Sequence, residues 1–161
     1  MKVLIIDNFD SFTYNLYQYV GSILDASDAV QVVRNNMCSV ADIEVLAPDR
    51  IIISPGPGDP RDAAYFGVCT EVIQQTAKNI PTLGVCLGMQ GMGVVFGSEL
   101  HVLPDPVHGK VTELAHDGGG IFSGLPQKIE VMRYHSLYVP EVSVPEILEI
   151  TARSHDGVVM G

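Results

Sequence analysis

The stretch of sequence that most constrains the fold is the one around Cys86. The apolar residues of 81–85 have the length of a short buried strand, and residues 89–96 can form a helix. Cys86 lies between the two, with Gly84 and Gly88 two residues away on either side. This Gly-x-Cys-x-Gly spacing is that of a nucleophile elbow, a sharp strand-to-helix turn that requires small neighbours. The sequence therefore predicts a strand, a strained turn at Cys86 and a helix.

The predicted turn gives Cys86 two competing interpretations. At a helix N-terminus, unpaired N–H groups and the helix dipole favour a thiolate. The same N–H groups, that of Leu87 among them, can stabilise an oxyanion. Alternatively, Cys86 is an ordinary buried cysteine and its two glycines only permit tight packing. The pentapeptide alone leaves both interpretations open.

Alternating strands and helices fill the first half of the chain. The first strand, Val3–Asp7, has no polar alternation, which is typical of a parallel strand covered on both faces. The pattern predicts an open, mostly parallel α/β sheet with helices on both faces and right-handed crossovers. Ligands of such sheets bind at the carboxyl ends of the strands, and this favours a functional Cys86. The predicted strands are 3–7, 30–33, 50–53 and 81–85, and the predicted helices are 14–24, 40–46, 65–78 and 89–96.

The second half of the chain has shorter segments separated by turns. We find no internal repeat, low-complexity tract or linker, so we predict a single domain over residues 1–161. The predicted strands here are 99–103, 110–114, 128–134 and 147–153, with a further strand beginning at Gly157 and a loop at 118–120.

Composition excludes several classes of protein. No apolar run approaches the ~18–20 residues of a membrane span, and Asp7 and Asp10 interrupt the N-terminal one, which predicts a strand instead of a signal peptide. The three cysteines show no CxxC spacing, so we expect no disulfide framework, no metal site and no cofactor, and a cytoplasmic location. The net charge of −10 argues against nucleic acid or a membrane surface as partner.

A second loop of unusual composition follows the predicted strand 50–53. In Ser54–Gly58 the prolines fix φ, while the glycines permit positive φ and a close approach of the backbone. Such a loop can present N–H groups to a substrate carbonyl beside the elbow. An ordinary strand-ending turn is the alternative.

Five sequence motifs occur in order along the chain, at residues 7–15, 54–60, 84–90, 108–110 and 133–137. Together they resemble the class I glutamine amidotransferases. The elbow at 84–90 marks that superfamily, and the motifs at 7–15, 108–110 and 133–137 narrow the resemblance to the branch whose members serve chorismate-using synthases. The resemblance covers essentially the whole chain and implies a flavodoxin-like fold.

The resemblance also implies a reaction and its residues. Cys86 would attack the side-chain amide of L-glutamine, form a glutamyl thioester and release ammonia, with the N–H groups of Gly58 and Leu87 as the oxyanion hole. A separate chorismate-binding synthase large subunit (component I) would use the ammonia, either for anthranilate in tryptophan biosynthesis or for aminodeoxychorismate in folate biosynthesis. The implied glutamine-binding residues are Gly56, Pro57, Gly58, Gln90, Ser136 and Leu137.

The sequence departs from the family in one respect. The family completes its catalytic triad with a later His-Pro-Glu segment, and no His-x-Glu occurs here. The apolar run from Gly157 stops without turn residues, so we expect a chain truncated at its C-terminus. A genuinely shortened protein and a non-catalytic glutamine-binding subunit, with Cys86 as a relic, are the alternatives. We interpret His135 as structural, and Cys38 and Cys69 as inert.

Overall fold

The computed structural model describes residues 1–161, and their contacts define two compact units. Unit 1 is Met1–Val95 and unit 2 is Phe96–Gly161. The statement that residues 1–161 form a single domain stays a prediction. None of the helices has both the length and the apolar character needed to cross a membrane.

Unit 1 contains a four-stranded parallel sheet with the order β2-β1-β3-β4. Its helix α2 begins after Ser39, whose side chain accepts a hydrogen bond from the Asp42 N–H while Asp42 caps the Ser39 N–H in return. The strands are β1 (Lys2–Asp7), β2 (Ala29–Arg34), β3 (Arg50–Ile53) and β4 (Thr82–Gly84). The helices are α1 (Thr13–Ile23), α2 (Val40–Leu46), α3 (Ala63–Phe66), α4 (Cys69–Glu71) and α5 (Leu87–Val95).

Both faces of this sheet are covered by helices. Val3, Ile5 and Ile52 form one buried cluster, against which Leu16 and Val20 of α1 pack. Side chains alternate along a strand, so Ile53 points to the opposite face, where Gly88 of α5 contacts it. The predicted parallel α/β sheet with helices on both faces is therefore confirmed.

The prediction of a single helix over residues 65–78 is wrong. The segment is divided into α3, α4 and a π-helical turn, Val72–Thr76. The break occurs at Gly67, which has φ +49° and lies against the backbone of Asn35, where an added Cβ would be 2.5 Å from the Asn35 carbonyl oxygen. A contact with a distant loop overrides the helical periodicity here.

Unit 2 contains a three-stranded antiparallel sheet with the order β6-β5-β7. Its strands are β5 (His101–His116), β6 (Ile129–Tyr138) and β7 (Ala152–Ser154), and its core includes Leu114, Phe122 and Ala152. The strand predicted at 110–114 and residues 101–103 of the strand predicted at 99–103 are parts of the one strand β5. Its pairing with β6 is irregular between Val102 and Val107, where Pro104 and Pro106 cannot donate to the ladder.

Two strand predictions near the end of unit 2 are wrong in extent. Of the strand predicted over 147–153, only Ala152 and Arg153 are in a strand, because only β7 (Ala152–Ser154) pairs with β5 in this region. The strand predicted from Gly157 is reduced to one bridge between Arg153 and Val159. Gly157 itself has φ +82° and forms the turn between them.

Candidate active site

Cys86 lies on a strained turn between β4 and α5. Its φ is +52°, in the left-handed region that non-glycine residues seldom adopt. The turn is closed by hydrogen bonds from the Gly88 N–H to the Val85 carbonyl (3.0 Å) and from the Gln90 N–H to the Cys86 carbonyl (2.9 Å). Strain of this kind concentrates at functional sites because the surrounding structure must hold it. The backbone thus has the elbow geometry that the spacing predicts.

The two glycines of the elbow are required by backbone contacts. A Cβ on Gly84 would lie 2.5 Å from the carbonyl carbon of Gly88, so the strand and the helix meet backbone to backbone. A Cβ on Gly88 would collide with the carbonyl oxygen of Ile53. Neither contact can be relieved by turning a side chain, and the crossing therefore requires glycine at both positions.

The pKa of Cys86 is raised, whereas its place at a helix N-terminus suggested a lowered pKa and a thiolate. Burial raises the pKa of the half-buried Cys86, a hydrogen bond from the Leu87 backbone lowers it, and the nearby charge of Asp10 raises it. Burial is the largest of the three effects. Cys86 is therefore a thiol at neutral pH and needs a proton acceptor before it can attack.

The Ser54–Gly58 loop lies against the elbow. A Cβ on Gly56 would be 2.6 Å from Cδ2 of Leu87 and 2.6 Å from Cβ of Asn8, which leaves room only for glycine. At the other end of the loop, Gly58 has φ +80° and lies under the ring of Tyr65. Two of the predicted glutamine-binding residues, Gly56 and Gly58, are thus in the same unit as Cys86. Gly56 contacts Leu87, the residue that follows Cys86.

The remaining predicted binding residues lie in both units. Gln90 is buried, 4% exposed, one turn along α5 from Cys86. Pro57 is exposed on the loop. Ser136 and Leu137 are half-buried residues of β6 in unit 2, where Leu137 pairs with Val102.

In unit 2, a polar brace fixes the carbonyl of Leu137. Arg133, 3% exposed, donates to both carboxylate oxygens of Asp156 (2.9 and 2.8 Å) and from Nε to His135 Nε2 (3.0 Å). His135 Nδ1 lies 2.8 Å from the Leu137 carbonyl oxygen. Since Nε2 accepts from arginine, the ring carries its proton on Nδ1 and donates to Leu137. Burial, with Arg133 as a further contributor, lowers the pKa of His135 and keeps the ring neutral.

All five histidines belong to unit 2, and each has a partner there. This agrees with the interpretation of His135 as a structural residue. The partners are Glu99 for His101 (2.8 Å), the Tyr134 ring for His108 (centroids 5.6 Å apart), the Pro126 carbonyl for His116 (3.0 Å), Leu137 for His135 and Thr112 for His155 (2.8 Å).

The sequence analysis missed a buried polar network beneath the Ser54–Gly58 loop. Asn8 and Asn35 are hydrogen-bonded to each other, and the Cys69 thiol donates to the Asn8 side-chain oxygen (3.3 Å). Cys69 is fully buried, and burial raises its pKa to about 12, which agrees with an inert thiol. A detectable signal was present, since Asn8 and Asn35 each follow a parallel strand directly.

Comparison with known proteins identifies the class. The profile of the family "Glutamine amidotransferase class-I" matches residues 4–161, so the chain belongs to that family. A glutamine amidotransferase from Thermotoga maritima has the same fold, with a TM-score of 0.78 and 14% identity over 99% of this chain and 69% of that one.

Two individual relatives give more specific information than the family profile does. Anthranilate synthase component 2 from Leptospira biflexa is 52% identical over 160 residues, covering 98% of this chain and 80% of the relative. Aminodeoxychorismate synthase from Streptomyces griseus is 44% identical over 160 residues, covering 99% of this chain and 21% of that larger protein.

Proposed function

We propose that this chain is the glutamine amidotransferase subunit of an anthranilate synthase. It hydrolyses L-glutamine and delivers the ammonia to a separate chorismate-binding synthase subunit (component I). The observation that carries the chemistry is Cys86 in a left-handed backbone at the start of α5, with the Ser54–Gly58 loop against the following residue. The 52% identity to an anthranilate synthase component 2 supports the pathway.

Cys86 acts as the nucleophile in the proposed mechanism. Its sulfur attacks the side-chain carbonyl carbon of glutamine, and the resulting oxyanion accepts hydrogen bonds from the N–H groups of Gly58 and Leu87. One such preorganised donor is worth about 3 kcal/mol in an acyl-transfer transition state. The C–N bond then breaks, the nitrogen takes a proton and leaves as ammonia, and water hydrolyses the glutamyl thioester. Gly56, Pro57 and Gln90 of unit 1 bind the glutamine.

The mechanism needs a base for the Cys86 thiol, because burial raises its pKa. Each of the five histidines already has a partner within unit 2. We therefore assign the base to a group other than these five histidines.

A partner subunit follows from the chemistry of the product. Ammonia released into water at neutral pH is protonated and loses its nucleophilicity. Delivery to chorismate therefore requires a site from which water is excluded, and a synthase subunit bound over the Cys86 side of unit 1 provides it.

Replacing the nucleophile tests the proposal. In the complex with the synthase subunit, Cys86→Ala should lower glutamine-dependent product formation by at least about 10³-fold, because no thioester can form. Synthesis from ammonium salts should continue at the rate of the unchanged complex. Cys38→Ala is the matched control, since Cys38 lies on the loop before α2, where its thiol donates to the Arg34 carbonyl.

Two negative results would count against Cys86 as the nucleophile. Glutamine-dependent turnover that survives Cys86→Ala would exclude Cys86 as nucleophile. A glutamine-like chloroketone should label the Cys86 peptide of the partner-bound, full-length protein, as detected by mass spectrometry. Absence of that label would indicate a non-catalytic binding subunit.

Aminodeoxychorismate synthesis is the second candidate, favoured by the 44% identity to the Streptomyces griseus enzyme. The product distinguishes the two. The complex isolated with its natural synthase subunit is given chorismate and glutamine, and the product is identified by chromatography and mass spectrometry. Anthranilate supports the first candidate, and aminodeoxychorismate supports the second.

A further inference from the structure

Two buried asparagines connect the ends of β1 and β2 beneath the Ser54–Gly58 loop. Asn8 is 0% exposed and Asn35 is 1% exposed. The Asn35 side-chain nitrogen donates to the Asn8 side-chain oxygen over 2.8 Å. The pair also bonds to Ser54, where the loop begins, and to the carbonyl of Tyr65, whose ring lies against Gly58 at the end of the loop. The side-chain oxygen of Asn35 is the one polar atom of the two side chains without a hydrogen-bond partner.

Asn8 holds the beginning of the loop. Its backbone N–H donates to Ser54 Oγ and its side-chain nitrogen donates to the Ser54 carbonyl, both over 2.9 Å. Its Cβ packs against Gly56, whose missing side chain would otherwise lie 2.6 Å away. Asn8 therefore fixes both the direction in which the chain leaves β3 and the height of the loop above the sheet.

Asn35 holds the end of the loop through Tyr65. The same nitrogen that bonds to Asn8 also donates to the Tyr65 carbonyl over 2.7 Å, so both of its hydrogens are used. The Tyr65 ring lies on Gly58, where an added Cβ would be 2.5 Å from ring carbon Cδ1. The position of α3, and with it the Tyr65 ring that contacts Gly58, depends on Asn35.

We propose that Asn8 and Asn35 are positioning residues of the glutaminase reaction, which clamp the Ser54–Gly58 loop at both ends and aim the Gly58 N–H at the developing oxyanion. This inference rests on the proposed function. Buried hydrogen bonds are stronger than those in water and restrict the movement of the groups they join. An oxyanion donor interacts with charge that exists only in the transition state, so a displaced loop lowers kcat more than it raises KM.

Asn8→Asp in the full-length protein bound to its synthase subunit tests the clamp. The change keeps the shape of the side chain but replaces the N–H donor that faces the Ser54 carbonyl with an oxygen. We expect kcat with glutamine to fall about 10- to 100-fold while KM stays within about threefold. Synthesis from ammonium salts should be unchanged. Asn36→Asp, an exposed neighbour of Asn35 with the same change of charge, should stay within about twofold of the unchanged protein.

Tyr65→Ala tests the other end of the loop without introducing a buried charge. Tyr65 is 43% exposed, and we expect kcat with glutamine to fall about tenfold when its ring no longer covers Gly58. Tyr19→Ala, which removes a 71% exposed tyrosine from α1, is the control and should leave kcat unchanged. If Asn8→Asp does not fold, the kcat of Tyr65→Ala with glutamine is by itself the test of the clamp.

Three results would overturn the clamp. These are a Tyr65→Ala enzyme equal to Tyr19→Ala, a rise in KM at constant kcat, or an equal loss of glutamine-dependent and ammonium-dependent synthesis. Failure of the clamp is distinguishable from failure of the proposed function. Inactive Cys86→Ala together with fully active Asn8→Asp and Tyr65→Ala would remove only the clamp, whereas active Cys86→Ala would remove the glutaminase assignment itself.

Discussion

The two units hold the residues that the sequence predicts to bind glutamine by different physical means. In unit 1 the elbow depends on backbone contacts between Gly84, Gly88 and β3 that allow no added atom. In unit 2 the Leu137 carbonyl is held by a chain of charged and polar side chains that begins at Asp156. The first arrangement is sensitive to volume and the second to charge and protonation. Substitutions of the two kinds should therefore affect the two units very differently.

Gly88→Ala should have the largest effect on stability. Its Cβ would collide with the Ile53 carbonyl oxygen, which belongs to a central strand and cannot move aside. We expect a loss of about 3 kcal/mol in the free energy of unfolding, near the upper end of the range for overpacking. Urea denaturation followed by circular dichroism measures it.

Gly21→Ala is the matched control for that substitution. Gly21 lies within α1 with no atom within 4 Å of an added Cβ, so alanine should stabilise the helix by about 0.5–1 kcal/mol. If the two variants unfolded at the same urea concentration, the close approach of α5 to β3 would be wrong.

Asp156→Ala should have an intermediate effect, confined to the polar brace of unit 2. The carboxylate of Asp156 is the counter-charge of the buried Arg133, and Ser154 and Arg133 lower its pKa to about 2. Because Asp156 is 44% exposed, we discount the cost of a broken buried pair and expect about 1–3 kcal/mol. Thermal unfolding of the variant measures the loss.

The exposed ion pair between Arg153 and Glu141 provides the comparison for Asp156→Ala. Both side chains of that pair are at least 40% exposed, so Glu141→Ala should cost much less stability than Asp156→Ala. Equal losses for Asp156→Ala and Glu141→Ala would contradict the idea that burial of Arg133 makes the brace important.

The same contrast between the units explains what the sequence could predict. The elbow was predictable because its glycines, its cysteine and its flanking apolar runs lie within a few residues of one another. The Asn8–Asn35 hydrogen bond spans 27 residues, and although each asparagine follows a predicted strand, that local pattern does not show that the two are bonded. The helix predicted over 65–78 failed for a similar reason, since the break at Gly67 depends on the distant Asn35 backbone. The raised pKa of Cys86 also depends on burial, which spacing cannot give.

The smallest predicted effect is a pH dependence that originates at His135. Burial lowers its pKa in the folded protein below the ordinary value of 6.5, so folding favours the neutral ring. The stabilisation is complete above that value and is lost as the pH falls through the folded pKa, because the unfolded chain takes up the proton first. Asp156, with a pKa of about 2 against an ordinary 3.8, contributes a constant amount between pH 5.5 and 7.5.

Urea unfolding at pH 7.5 and 5.5 measures this dependence. Each pH unit below 6.5 should cost at most about 1.4 kcal/mol from His135. His135→Gln keeps an N–H that can donate to the Leu137 carbonyl but cannot titrate in this range, so its free energy of unfolding should change less between the two pH values. An identical slope in the variant would mean that the ring is not held neutral between Arg133 and Leu137. The protonation state of His135 would then not contribute to holding the Leu137 carbonyl. Unit 2 would differ from the glycine-packed elbow of unit 1 only in its use of charged side chains.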